Sequence, residues 1–352
     1  MNEKYVRAIG TLGVWATLLV WSAGQGVPCA YGTSQYTDRA QDKEPPKGPQ
    51  ASEAESKASM KIQAAPDMPG KLQAAAEFIK KYPKSTLRVK VVGYLASEIN
   101  NSPNTAQRIS WFESLLATFK EPSDSDVITP LLFDAYVKAD PPRVDDAFKI
   151  ASALVAKNPQ DLTSHTQIAV LGVEQAKKGD GKYAQQAQQS AKKAIEIIEA
   201  GKKPDSFDEA RWKEYQTKWL PVLYQSTGLI SLMTGNKADA KANLEKAASL
   251  DANDPFTFVL LGSLANDEYQ KLAERHRAQS SGPMKDELLK QAYGAMDQVI
   301  DLYAHAVGLA EGRAEYDKLR AQVTADLQTY WTHRHNGSTE GLQQLIDKYK
   351  RR

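Results

Sequence analysis

One cysteine, Cys29, is the only thiol in 352 residues. That scarcity excludes an internal disulfide framework, a zinc site built on thiolates and a dithiol redox pair. Everything after Cys29 is thiol-free, which fits an oxidising compartment, where a leftover thiol is a liability. An excess of either charge is also lacking. Lys plus Arg number 45 against 43 Asp plus Glu, for a formal net charge of +2. The basic residues alternate with acids, so no concentrated basic face exists to neutralise phosphates and release counterions; nucleic acid is disfavoured as a partner. Catalytic signatures are missing too: there is no Gly-x-Ser-x-Gly elbow, no His-Glu-x-x-His pair and no Walker-type phosphate loop. The segment Lys177 to Tyr183 has two glycines and a lysine without phosphate-wrapping spacing, and it reads as a turn between helices. No enzyme, cofactor or metal is expected.

What is present begins at the amino terminus. Lys4 and Arg7 precede an apolar stretch from Ala8 to about Ala23 that holds Val14, Trp15, Leu18, Leu19, Val20 and Trp21, and Ser22, Ala23 and Gly24 follow. A basic start, an apolar run and a small-residue exit are the parts of a secretory signal, and residues 1–30 are read as one, cut after Gly24 or, less favourably, after Ala30. The run falls short of the roughly 20 residues that span hydrocarbon. An uncleaved anchor is the alternative, and it would give the chain its only membrane contact. Lipidation of Cys29 is a third option, although Gly26, Val27 and Pro28 lack the usual pattern. The chain is therefore expected in the periplasm or at the cell surface, or else anchored in the membrane.

Residues 31–68 are rich in Pro, Ser, Glu, Lys and Gly and poor in large apolar side chains, so a disordered linker is expected there; a pro-segment or ordered arm is the other reading. From residue 69 the pattern turns helical. A hydrophobic fraction of 41% and a charged fraction of 25% suit a soluble globular body. Apolar residues recur at steps of three and four, as in Leu72, Ala75, Ala76 and Ile79, or Tyr316, Leu319, Val323, Leu327 and Tyr330. No stretch alternates with period two, so the fold is all-α. Breaks are expected at Pro83, Pro122, Pro141–Pro142, Pro159, Pro204 and Pro255, and Ser206 with Glu209 has capping-box spacing.

Tyr224, Gly228, Gly235, Ala240, Leu244, Ala247, Leu250 and Asp251, between Pro221 and Asp254, resemble the 34-residue tetratricopeptide repeat position by position. Phe258, Leu261 and Gly262 restart the pattern, which is completed after an insertion by Val299, Tyr303, Ala306 and Leu309. Earlier units are visible in Ala147, Ala151, Leu154 and Pro159, and then in Ile168, Ala169, Ala187, Ala191, Ala194 and Ile197. The stretch Ala76 to Ser85 resembles repeat ends of periplasmic assembly factors. The chain is thus similar to exported bacterial proteins of the tetratricopeptide family. The resemblance implies a right-handed α-solenoid of antiparallel helix pairs with irregular helix lengths over residues 69–335. A capping helix over 336–352, after a turn at Asn336–Gly337–Ser338, would carry Leu342, Leu345, Ile346 and Tyr349 inward.

Such arrays bind protein segments on a concave face lined by first helices. Carried onto this chain, that face holds Gln225, Leu229, Leu232 and Met233, then Val259, Ser263, Asn266 and Asp267. None is basic, so capture of a terminal carboxylate is not expected, and an amphipathic or extended segment suits better. Trp212, Tyr215 and Trp219 share one helical stripe before Pro221, which should kink or interrupt that helix. They are core packing on one reading and an exposed aromatic platform on the other. His333 and His335 could chelate a metal if extended, but beside Arg334 at a helix end they are better explained by the macrodipole. His305, on an apolar helix, reads as a packing or hydrogen-bonding residue. The function expected is an exported scaffold holding an unidentified protein partner, with a membrane-tethered structural subunit of an envelope assembly as the alternative.

Overall fold

The computed structural model describes residues 51–351. The export segment, Cys29 and the linker up to residue 50 lie outside the described residues. Helices take up 77% of the described residues and strands none, with 14 α-helices packed in adjacent pairs. None is long and apolar enough to cross a membrane. The chain divides into two compact units, described here as 51–159 and 160–351.

The N-terminal unit holds α1 (Glu53–Ala64), α2 (Met68–Lys81), α3 (Arg88–Asn100), α4 (Thr105–Thr118), α5 (Pro122–Val137) and α6 (Val144–Lys157). The first of these overturns part of the linker reading. Ser52 accepts the Glu55 amide at 3.2 Å while the Glu55 carboxylate takes the Ser52 amide at 2.7 Å, a reciprocal cap that satisfies two otherwise free donors. Ile62 is then buried on the side facing α2. A full cap and one well-placed isoleucine order twelve residues that composition alone reads as too polar. Neighbouring helices pack pairwise, and α2 also meets α4, as α3 meets α5. The interior is formed by Phe78, Val92, Leu95, Phe112, Leu115, Phe119 and Phe133.

The C-terminal unit holds α7 (Leu162–Lys177), α8 (Ala184–Glu199), α9 (Glu209–Met233), α10 (Lys237–Leu250), α11 (Pro255–Ala278), α12 (Pro283–Ala310), α13 (Asp317–Arg334) and α14 (Leu342–Asp347). Each of the expected proline breaks falls between helices or in a first turn, where the missing amide is tolerated. Pro221 is different: α9 runs through it unbroken for 25 residues. The Ser206–Glu209 box does not form either. Asp208 caps α9 instead, its carboxylate accepting the Arg211 amide at 2.8 Å, because the carboxylate sits directly at the helix mouth, where negative charge is favoured. The insertion between Gly262 and Val299 is taken up by helix. Both α11 and α12 are extended, to 24 and 28 residues, and only a tight turn at Gly282 separates them.

At the C-terminus, Asn336 and Gly337 take positive φ angles of 53° and 90°, reversing the chain so that α14 lies on α12. Leu342 and Ile346 are buried there. His305 is sandwiched between the Phe258 ring at 3.7 Å and the Tyr349 ring at 4.2 Å. Burial lowers its pKa and so favours the neutral ring.

Candidate functional site

The face expected to bind a partner lies on α9 and α11. Gly228 explains why α9 and α10 come so close: a methyl group there would sit 2.7 Å from Cγ of Leu244. Gly262 does the same between α11 and α12, where a methyl group would sit 2.4 Å from the Tyr303 ring. These two crossings set the spacing of the helices that carry the candidate residues.

The eight candidates divide sharply. Leu229 is 1% exposed and Leu232, Val259 and Ser263 are buried as well, the first three within one hydrophobic cluster that also takes in Leu244, Phe256 and Tyr303. They stabilise the unit and present little surface to a partner. Gln225, Met233, Asn266 and Asp267 keep part of their surface exposed. Gln225 donates from its amide nitrogen to Asp254 and, at 2.7 Å, to the Thr257 hydroxyl. Asp267 pairs with Lys237 at 2.5 Å. Asn266 accepts from the Tyr330 hydroxyl at 2.6 Å and from Gln270 at 3.2 Å. The polar candidates therefore tie α9 to α11 and α11 to α13.

The aromatic platform is corrected. Trp212, Tyr215 and Trp219 are all buried in a cluster with Phe207, Leu162 and Ile198. Trp212 stacks on Tyr215 with centroids 6.4 Å apart, and Tyr215 leans on Trp219 at 6.1 Å. The Tyr215 hydroxyl donates to Thr166 at 2.8 Å, and burial raises its pKa well above that of free tyrosine. An apolar stripe three and four residues apart was bound to face whatever helices packed on α9, and α7 and α8 both do. Tyr215→Phe is expected to destabilise the protein by about 1 kcal/mol, a fall of about 2–4 °C in Tm. An unchanged Tm would mean the bond carries no stability.

The paired histidines have different surroundings. His335 is exposed, stacked on Trp331 at 3.9 Å, with Nδ1 2.9 Å from the Trp331 carbonyl. His333 is half-buried, and burial lowers its pKa. Among the described residues no three His, Cys, Asp or Glu side chains gather as a metal site would need.

A cluster that sequence reasoning passed over lies beside Asn266. Asp326 stands one turn before Tyr330 on α13. The two rings of Tyr303 and Tyr330 meet edge to face at 6.2 Å, and Tyr269 meets Tyr330 at 6.0 Å. Burial raises the pKa of all four groups, and the Asp326 charge adds to the rise at Tyr303 and Tyr330. An acid three residues after Val323 and four before Tyr330 sits on the apolar stripe itself; that spacing was the available signal.

No protein-family model matches the chain, and no curated protein matches it closely.

Proposed function

We propose that the chain is a tetratricopeptide-type right-handed α-solenoid within each unit. It would be exported by residues 1–30 and serve as a scaffold that holds an extended or amphipathic segment of a partner protein. The observation that carries this reading is the bridging of alternate helices. Gln225 of α9 bonds to the start of α11, and Tyr330 of α13 bonds to Asn266 of α11. Alternate helices tied side by side make one surface of the kind on which helical repeats bind peptides. Gly228 and Gly262 add support: they lie 34 positions apart, the period of the family, and both sit at crossings with no room for a side chain.

Arginine at Leu229 would disrupt the core and test stability, so exposed positions are the ones to probe. A photo-crosslinking amino acid at Met233 or at Asp267, in the producing cells, should capture a polypeptide. The same group at Glu245, exposed on α10, should capture none, and the scaffold chain in the crosslinked product should itself begin near Gln25. Equal capture from Glu245, or none from the face, sinks the scaffold reading. A chain beginning at Met1 in the membrane fraction sinks the cleaved export signal.

A further inference from the structure

Gly308 lies in the last turn of α12, and the C-terminal segment is laid directly across it. A methyl group there would stand 2.7 Å from the Ile346 carbonyl oxygen and 2.9 and 3.0 Å from Cβ and the carbonyl carbon of Tyr349. All three nearest atoms belong to that segment, so the glycine makes room for the backbone of the chain end. Its neighbours on the same stripe of α12 are matched as well. Tyr349 stacks on His305 at 4.2 Å and donates its hydroxyl to Asp301, and Lys350 pairs with Glu311 at 2.9 Å. Asp301, His305, Gly308 and Glu311 follow one another at helical steps of four, three and three, which keeps them on one face. The segment answers with Leu342, Ile346, Tyr349 and Lys350, spaced as the anchors of an amphipathic helix that lies in a groove.

A polar end cap needs only to cover the last apolar face of an array. Side-chain and backbone recognition at four successive positions is more than that, yet the segment is lightly held. The helix α14 has six residues, too few to persist alone in water. Of the described residues after Arg334, only Leu342 and Ile346 are buried. The tether from α13 holds Asn336, Gly337 and Gly341, all at positive φ. Chain ends with few buried contacts open before the rest of a fold does. Opening here bares Gly308 and the stripe around it, with His305 still stacked on Phe258.

We infer that this stripe of α12 is a docking groove for a short amphipathic helix of a partner protein, and that the chain's own C-terminal segment is its resident competitor. The resident states the chemistry of the partner: two aliphatic side chains one turn apart, then a tyrosine and a lysine, in the order of Leu342, Ile346, Tyr349 and Lys350. The partner binds only when the segment has lifted, so its apparent affinity is the intrinsic one scaled down by the open fraction. This goes beyond the scaffold reading and does not rest on it, since neither Met233 nor Asp267 takes part.

The probe is a fluorescein-labelled peptide of residues 339–352, added to full-chain proteins and followed by anisotropy. Ile346→Ser with Tyr349→Ser weakens the resident segment and leaves the groove unchanged, so this double variant should bind the peptide at least tenfold tighter than the parent. Gly308→Ala should also free the segment, seen as fast hydrogen exchange over 342–350 with the rest of the chain unchanged. It should nevertheless bind no peptide, because its methyl group obstructs resident and probe alike. The peptide carrying Tyr349→Ser should bind none of the proteins. Equal binding by the parent and the double variant, or no binding by the double variant, would overturn the groove. So would peptide binding that survives Gly308→Ala, or exchange over 342–350 that stays slow in that variant. Exchange protection lost throughout the double variant would make the segment a structural cap and overturn the inference too. A parent that is a dimer by light scattering, beside a monomeric double variant, would assign the groove to a second copy of the chain and likewise overturn it.

Discussion

Replacing Arg88 by Ala is expected to remove about 3–5 kcal/mol from the N-terminal unit, the usual cost of orphaning one partner of a buried ion pair. The Asp124 side chain is 0% exposed and that of Arg88 11%. Both Nε and Nη2 of Arg88 donate to the same oxygen, Oδ2, at 2.8 and 2.5 Å. Nη1 reaches the Pro83 carbonyl at 3.2 Å, and the guanidinium lies over the Phe119 ring at 5.5 Å. Asp124 is equally committed, since Oδ2 also accepts the Glu121 amide at 3.1 Å and so closes the start of α5. Its other oxygen, Oδ1, is buried without a partner, so the pair is already imperfectly compensated, and losing the arginine leaves a full charge in the interior. Total stability of a domain is about 5–15 kcal/mol, so the variant should lose a large share of it and this unit should open to exchange far more often. Hydrogen exchange read by mass spectrometry over 51–159 would report it directly. Exchange there as slow as in the parent protein would mean that water reaches Asp124. Arg88→Met with Asp124→Leu, which removes both charges and keeps their bulk, should recover most of the loss, leaving the cost of the missing α5 cap.

Much of the helical order was legible because proline punctuates it. Pro122 and Pro255 open helices and the stripes between run at three and four residues, while the caps at Asp67, Asn104, Asp161, Asn236 and Asp254 emerged only in the structure. Two things were not legible. The first is length: α9, α11 and α12 run well past the two-helix unit the repeat pattern suggests, because nothing in an exposed polar turn of helix distinguishes continuation from a loop. Residues 53–64 were missed for a related reason. Their order comes from a cap and one contact with α2, and composition averages both away.

The second is exposure. A repeat register places Leu229 and Val259 on a concave face, yet both pack into the interior, while Asn266 and Asp267 on the same register stay partly open. Register fixes the direction in which a side chain leaves its own helix. How deeply it is covered depends on the next helix, and that is set by crossings such as those at Gly228 and Gly262. Asp326 shows the converse. It looks like an ordinary solvated acid until α12 packs on α13, and only then does its partial burial become visible.

Gly262→Ala and Gly294→Ala should move stability in opposite directions. Both glycines lie inside long helices, where alanine is intrinsically better by up to about 1 kcal/mol. Around Gly294, on α12, no atom beyond its chain neighbours and its own helix backbone lies within 4 Å of an added methyl group, so the variant should gain about 0.5–1 kcal/mol. At Gly262 the same methyl group would stand 2.4 and 2.5 Å from two carbons of the Tyr303 ring. That ring cannot swing aside, since it is buried and meets Tyr330 edge to face. Either α11 must move off α12 or the ring must shift, and overpacking of this kind costs about 1–3 kcal/mol. Thermal unfolding of the two variants beside the parent decides it; a Gly262→Ala protein as stable as Gly294→Ala would mean that the α11–α12 crossing has slack. The two positions at the crossing should also be coupled. In a Tyr303→Leu background, which leaves a smaller side chain and a partial cavity, Gly262→Ala should lose much less than it does alone, with a coupling of about 0.5–3 kcal/mol in the double-mutant cycle. Additive losses would place the strain of Gly262→Ala somewhere other than the Tyr303 ring.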